Sequence, residues 1–244
     1  MQFTEFPFHS SILKAVAEER FHKPTLVQEQ AIPLVLSKKN VIVAAQTGTG
    51  KTAAFALPII QILLDKEVEE NETKKIKSLI VTPTRELAIQ ILENFKSYSK
   101  YTELTTTAVF GGVSLEPQKE ELANGIDILV ATPGRLIDLH LQGYIDLSDI
   151  EIFVLDEADL MLDMGFINDV KRIEKLTPRK KQTLLFSATI PEKIDELAKS
   201  VIKNAVKVDI NPQETTAKNI GQLLYYLPKK HKTELCLNLL RHTI

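Results

Sequence analysis

Val41-Ile42-Val43-Ala44-Ala45-Gln46-Thr47-Gly48-Thr49-Gly50-Lys51-Thr52 decides the fold. Its first half is apolar and partly β-branched and predicts a buried strand. Its second half is rich in glycine and ends in Lys-Thr, and a helical stretch follows. Strand, glycine-rich turn and helix in that order are the setting a phosphate-binding loop requires. Gly48 and Gly50 let the backbone wrap closely around phosphate oxygens, with Gln46, Thr47 and Thr49 adding further amides. Those N–H groups and the helix N-terminus supply positive potential. Lys51 is placed to reach the β- and γ-phosphates, and the Thr52 hydroxyl to ligate Mg²⁺. Ala45 stands where the G-x-x-x-x-G-K-[ST] pattern has its first glycine. The alternative is a glycine-rich turn with a chance Lys-Thr.

Outward from this stretch, short apolar runs recur with helical patterns between them. They are Leu79-Ile80-Val81, Ala108-Val109-Phe110, Ile128-Leu129-Val130, Ile152-Phe153-Val154-Leu155, Thr183-Leu184-Leu185-Phe186 and Val206-Lys207-Val208. Strands alternating with helices of 10–15 residues imply βαβ units, hence an α/β fold with a mainly parallel sheet covered on both faces. Ser11 reads as a helix start before Ile12, Leu13 and Val16. Thr84 reads as the cap of a helix burying Leu87, Ala88 and Ile91. Ile194, Leu197, Ala198 and Val201 share a face of another. The charged segment Asp65 to Lys77 reads as a solvated loop or an exposed helix end.

The run Ile152 to Leu155 delivers Asp156 and Glu157 to the end of its strand, where open α/β sheets bind ligands. Asp156 is the expected Mg²⁺ partner, through water, and Glu157 is placed to orient or deprotonate an attacking water. Taken alone, such a pair is more often a helix N-terminal charge pair. The phosphate loop in the same sheet decides for ATP and Mg²⁺.

The chain has 244 residues and a formal net charge of −2, which gives no global support for nucleic-acid binding, so any such surface must be local. Cys236 is the single cysteine, which excludes a disulfide framework and fits a reducing compartment. The five histidines show no metal-ligand spacing. Met1-Gln2-Phe3-Thr4-Glu5 does not read as a signal peptide, and Ala53 to Leu64 is too short to cross a bilayer. The expectation is a cytoplasmic, monomeric protein with no membrane partner. Residues 1–210 read as one domain and the polar run 211–219 as a linker. Residues 220–244 offer one strand, Gly221 to Leu227, and one helix, Thr233 to Leu240. That is too little for its own core, so this end reads as the start of a second domain.

The acids continue as Asp156-Glu157-Ala158-Asp159, and here the sequence resembles the DEAD-box RNA helicases of superfamily 2. Other signatures of that family occur in order. Pro83-Thr84-Arg85-Glu86-Leu87-Ala88 looks like motif Ia, Gly111-Gly112 like the GG motif, Thr132-Pro133-Gly134-Arg135 like motif Ib and Ser187-Ala188-Thr189 like motif III. Asp163-Met164-Gly165-Phe166 and the stretch Gln182 to Thr189 look most like the bacterial RhlE-like subgroup. Ala45 fits the family's A-x-x-G-x-G-K-T form of the loop.

The resemblance implies a RecA-like lobe that binds ATP and RNA and works with a second RecA-like lobe to remodel short duplexes. Phe21-His22-Lys23-Pro24-Thr25-Leu26-Val27-Gln28 resembles the Q motif, which in the family reads adenine, with Phe3 as its upstream aromatic. Arg20 departs from the family's usual glycine. Thr25-x-x-Gln28 is also a capping box, which leaves Gln28 with two readings, and a staple under the first helix is the lesser alternative for Phe3. The resemblance assigns Pro83, Thr84, Arg85, Gly111, Gly112, Thr132, Pro133, Gly134 and Arg135 to the RNA backbone. The bland alternative has Arg85 and Arg135 pairing with acids such as Glu86. In the family Ser187 and Thr189 bond the last acid, here Asp159, and couple nucleotide state to RNA grip; a plain turn is the other reading. No H-R-x-G-R-x-G-R-like segment is present, so the arginines that complete catalysis in the family are expected from the second lobe.

Overall fold

The structure is a computed structural model that describes residues 1–66, 74–210 and 223–242. It divides into two units, Met1–Asn211 and Pro212–Ile244. In the first, the strands are β1 (Val41–Ala45), β2 (Ser78–Val81), β3 (Thr106–Val109), β4 (Ile128–Ala131), β5 (Ile152–Leu155), β6 (Gln182–Ser187) and β7 (Val206–Ile210). Every expected run is a strand. β3 lies slightly earlier than its apolar run, because Phe110 already turns into the loop that follows.

All seven strands form one sheet in the order β3-β4-β2-β5-β6-β1-β7, and every pairing is parallel. Parallel strands buried on both faces need apolar residues at consecutive positions, as Ile152-Phe153-Val154-Leu155 provides. Strand residues split alternately between two cores. Val41, Val43, Ile80, Val154 and Phe186 face one, and Ile42, Leu79, Val81, Phe153 and Leu185 face the other.

Helices α1 (Ser10–Glu18), α2 (Leu26–Leu36), α3 (Lys51–Leu64) and α4 (Arg85–Tyr98) cover the first face. Helices α6 (Pro133–Leu141), α7 (Ala158–Asp163), α8 (Ile167–Leu176) and α9 (Glu192–Val201) cover the second. The short α5 (Glu116–Ala123) lies between β3 and β4 in sequence. At the heart of the first core Phe55 of α3 meets Phe186 of β6 at 5.1 Å and Phe95 of α4 at 6.2 Å. Truncating a ring of this kind costs about 3–5 kcal/mol.

Thr84 caps α4 as expected, accepting from the Leu87 N–H at 3.3 Å. Ser11 does not start α1. His9 is its cap, its Nδ1 accepting from the Ser11 N–H, so the helix begins at Ser10. Of the charged segment after α3, residues 67–73 lie outside the described residues, and residues 74–77 carry no helix or strand.

The linker expected at 211–219 lies outside the described residues. In the second unit the expected strand Gly221 to Leu227 is not formed over 223–227, whereas the expected helix is present as α10 (Lys232–His242) with Cys236 exposed. Leu223, Leu224 and Tyr226 are exposed. No sheet is offered to that segment among the described residues of its unit. Among the described residues no helix is long and apolar enough to cross a membrane.

Candidate functional site

Because all strands run the same way, the residue following each strand emerges at one edge of the sheet. Strand order divides that edge into two neighbouring groups. The phosphate loop follows β1, Asp156 and Glu157 follow β5, and the Ser-Ala-Thr turn begins at the end of β6. Pro83-Thr84-Arg85 follow β2, Gly111-Gly112 follow β3 and Thr132 to Arg135 follow β4, three strands that adjoin on the other side.

In the loop, Gly48 and Gly50 hold φ values of +80° and +89°, a left-handed backbone that favours glycine. A Cβ on Gly50 would stand 2.4 Å from Gln28 Nε2. Thr49 Oγ1 donates to the Gln46 carbonyl at 2.7 Å and closes the turn from within. Lys51, the first residue of α3, has a side chain only 5% exposed, and its Nζ lies 2.8 Å from Glu157 Oε1. The contact lacks hydrogen-bond alignment, and Lys51 Nζ and Asp156 Oδ1 are both buried with no hydrogen-bond partner. Buried polar atoms left unpaired cost about 1–3 kcal/mol each. Such groups at the edge of a sheet mark where a ligand completes them.

Burial, and then the neighbouring Glu157 charge, push the Asp156 carboxyl up to about 7; Lys51 pulls the other way. A divalent cation facing it would favour the charged form. Glu157 itself holds a φ of +54° and ψ of +52° at the N-cap of α7. A non-glycine residue there stores strain of order 1–3 kcal/mol, and strain of this kind gathers at functional sites. The donor set fits Mg²⁺–nucleotide. Thr52 lines the cleft beside Asp156, and hydroxyl and carboxylate oxygens suit a hard cation.

The loop and the acids form one end of a cleft of about 510 Å³, whose other walls include Phe21, Lys23, Thr25 and Gln28. Gln28 is buried. Its Oε1 accepts from the Thr25 N–H at 2.9 Å, and its Nε2 donates to the Gly50 carbonyl at 3.2 Å. The capping reading is therefore realised. One N–H and one lone pair of the amide remain for a base. Phe3 does not face the cleft. It is 4% exposed and stacks against Phe21 at 6.1 Å, so Phe21 is the ring at the cleft and Phe3 supports it from behind.

Arg20 takes a φ of +57°, so the position where the family prefers glycine does hold a left-handed backbone. It ends α1 in a Schellman turn, with Phe21 N–H bonded to the Val16 carbonyl and Arg20 N–H to that of Ala17. This turn aims Phe21 at the cleft.

Sequence reasoning missed one wall. Leu87, Gln90, Ile91, Asn94 and Tyr98 of α4 line the same cleft, spaced along one helical face. The periodicity of α4 was readable, but what lies opposite that face is set by packing. α4 is pinned there by Phe95 on Phe55 and by Tyr98 on Phe21 at 5.9 Å.

On the other group of turns, the Arg85 guanidinium sits over the Phe110 ring at 5.4 Å. Arg135 Nη2 donates to the Val113 carbonyl at 3.1 Å, while its Nη1 is buried and unpaired. Neither arginine pairs with an acid among the described residues. Gln118 of α5 holds the Gly111-Gly112 loop at both ends, accepting from Phe110 N–H and donating to the Phe110 and Ser114 carbonyls. Gly112 has a φ of +80°, and Gly111, Gly112 and Gly134 are exposed with no atom near their missing Cβ. Pro133 opens α6 and Thr132 is its N-cap.

Within the first group, between the turns after β5 and β6, Asp159 Oδ2 accepts from both the N–H and the hydroxyl of Thr189, at 2.9 and 3.0 Å. Ser187 Oγ accepts from the Asp159 N–H at 3.1 Å. Burial alone would raise the Asp159 carboxyl; the Ser187 and Thr189 hydrogen bonds hold it below its usual range.

Fold and site together define a phosphate-loop α/β domain of the RecA-like type. The family model "DEAD/DEAH box helicase" matches residues 25–197, and the chain belongs to that family. It is similar to the DEAD-box ATP-dependent RNA helicase RhpA of Helicobacter pylori, 42% identical over 98% of this chain and 47% of the relative. It is also similar to the ATP-dependent RNA helicase RhlB of a Shewanella species, 40% identical over 98% of this chain and 55% of that protein. The chain thus spans about half the length of the curated relatives it matches. A solved DEAD box protein from Methanococcus jannaschii superposes with a TM-score of 0.80 at 37% identity, covering 99% of this chain and 64% of that one. A hypothetical ATP-dependent RNA helicase from Sulfolobus tokodaii gives a TM-score of 0.75 at 44% identity, covering 83% and 57%.

Proposed function

We propose that this chain is the nucleotide-gripping lobe of an ATP-dependent RNA helicase that remodels short duplexes together with a second RecA-like lobe. The reading is carried by one observation: Lys51, Asp156 and Glu157 meet, buried, at the same sheet edge from which Arg85 and Gly112 are presented. Residues 1–210 form the lobe, 211–219 the linker and 220–244 the start of the second lobe. Support comes from the names of the relatives and from the chain spanning about half their length.

In this reading the loop amides and Lys51 hold the phosphates of ATP. Thr52 and, through water, Asp156 would hold Mg²⁺, which would supply charge neutralisation at the transferring phosphate. Lys51 leaves Glu157 for the phosphate, which frees the carboxylate to orient the attacking water. Lys23 and Gln28 meet the base, with Phe21 as the adjoining ring. Thr84, Arg85, Gly111, Gly112, Thr132, Pro133 and Gly134 contact RNA phosphates through hydroxyls, backbone amides and the N-termini of α4 and α6. Arg135 acts mainly by shaping the Gly-Gly loop. Asp159 with Ser187 and Thr189 ties the acids after β5 to the turn after β6 and couples nucleotide state to RNA grip. Closure of two lobes around ATP and RNA would bend one strand and release the other, and hydrolysis would reset the clamp.

The test is RNA-stimulated ATP turnover by the longer protein that contains this lobe. Turnover should rise with RNA and be lost in Lys51→Ala. Wild-type turnover in that variant removes Lys51 from its role; turnover indifferent to RNA favours an NTPase acting on another substrate.

A further inference from the structure

The cleft wall formed by α4 has no role in the reading above. Gln90 is exposed and Asn94 half-buried, both line the cleft, and neither side chain has a hydrogen-bond partner among the described residues. They sit four residues apart, one turn of helix, so their amides point the same way. Of the apolar members of this face, Ile91 is buried in the first core, and Leu87, expected to be buried, is only half-buried. Phosphates are already matched by Lys51 and the loop amides. Lys23, Gln28 and Phe21 meet one side of the base, which leaves the ribose hydroxyls and the rest of the base edge unmatched. A primary amide, both donor and acceptor, suits such groups.

We propose that Gln90 and Asn94 are positioning residues for the nucleoside portion of the bound nucleotide, on a wall that adjoins Phe21 through Tyr98. This rests on the cleft being the nucleotide site. α4 then serves two ligands. Thr84 and Arg85 sit at its N-terminal end among the RNA-facing turns, and Gln90 and Asn94 stand about one and a half to three turns further along. At 1.5 Å per residue the two positions are separated by only ~10–15 Å of continuous helix. A shift of the helix on binding RNA is felt directly by the nucleoside.

The experiment uses the chain of residues 1–244 with Gln90→Ala, Asn94→Ala and the double variant, all compatible with a helix. Calorimetric titrations with ADP and with pyrophosphate, each with Mg²⁺, separate the two portions of the ligand. Each single variant is expected to weaken ADP about 3- to 10-fold, the equivalent of one hydrogen bond. Pyrophosphate affinity and Tm should stay unchanged. Unaltered ADP affinity in the double variant overturns the proposal. So does equal weakening of ADP and pyrophosphate with a lowered Tm, which would mark a merely structural role. Lys51→Ala is the control: it should lose both ligands, and if it keeps ADP, the assignment of the cleft itself has failed.

Discussion

Tyr98 stands where α4 meets Phe21, and its phenol is held neutral. Burial is the main cause and the Glu19 charge adds to it, pushing the group up to about 12 from 10.0. For an acid whose folded-state value is raised, the neutral form stabilises the fold fully below the unfolded value. That contribution is lost between about pH 10 and pH 12. Wild-type protein should therefore lose up to about 2–3 kcal/mol more than Tyr98→Phe across that window. Urea melts at pH 9.5 and pH 11.5 measure it, and parallel losses in the two proteins would show that Tyr98 titrates normally. At this scale the sequence was most legible where chemistry is local. Lys51, Asp156 and Glu157 could be read from residue type and spacing, whereas the Asp159–Thr189 contact came only from the family resemblance. Phe3 and Phe21 could not be ranked, because which ring faces the cleft depends on how the turn at Phe3–Glu5, α1 and α4 pack around it.

The same split holds for elements. The central strands could be read because a parallel strand buried on both sides is apolar throughout, as β5 is, while the half-exposed edge strand β7 was read from its alternating valines. The role of α4 could not, since its period reveals a buried face but not the far side of a cleft. Helix ends fall between. The family pattern asks for glycine after α1, and the exposed Arg20 meets the left-handed geometry at a cost of roughly 1–2 kcal/mol. Glycine returns part of that gain through its freer unfolded chain. Arg20→Gly is thus expected to raise stability by about 0.5–1 kcal/mol, seen as a higher urea midpoint at unchanged slope. A lower midpoint would mean that the Arg20 side chain itself contributes.

For the whole molecule, the decisive fact is that both groups of turns share one edge while the arginine-rich segment expected in the family is missing from the sequence. Positive charge at the transition state, where an arginine finger is worth ~10³–10⁵ in rate, then has to come from elsewhere. The 244-residue chain should bind ADP but turn over ATP far more slowly than the longer protein, and should not unwind RNA. Robust strand separation by residues 1–244, followed with a fluorescent duplex, would refute the split site. What the sequence left unreadable at this scale is the position of β1. Its phosphate loop was plain, but its two neighbours come from the far end of the lobe.

That position has a consequence in time. β1 leaves the ribosome well before its partners β6 and β7, which begin at Gln182 and Val206. They follow by roughly 150 residues, about 8–30 s of translation at ~5–20 residues per second. Through that interval Val41 and Val43 have no strand on either side, and the phosphate loop has no scaffold. Nucleotide capture by a nascent chain would therefore come late and abruptly, as a sign that the sheet is complete.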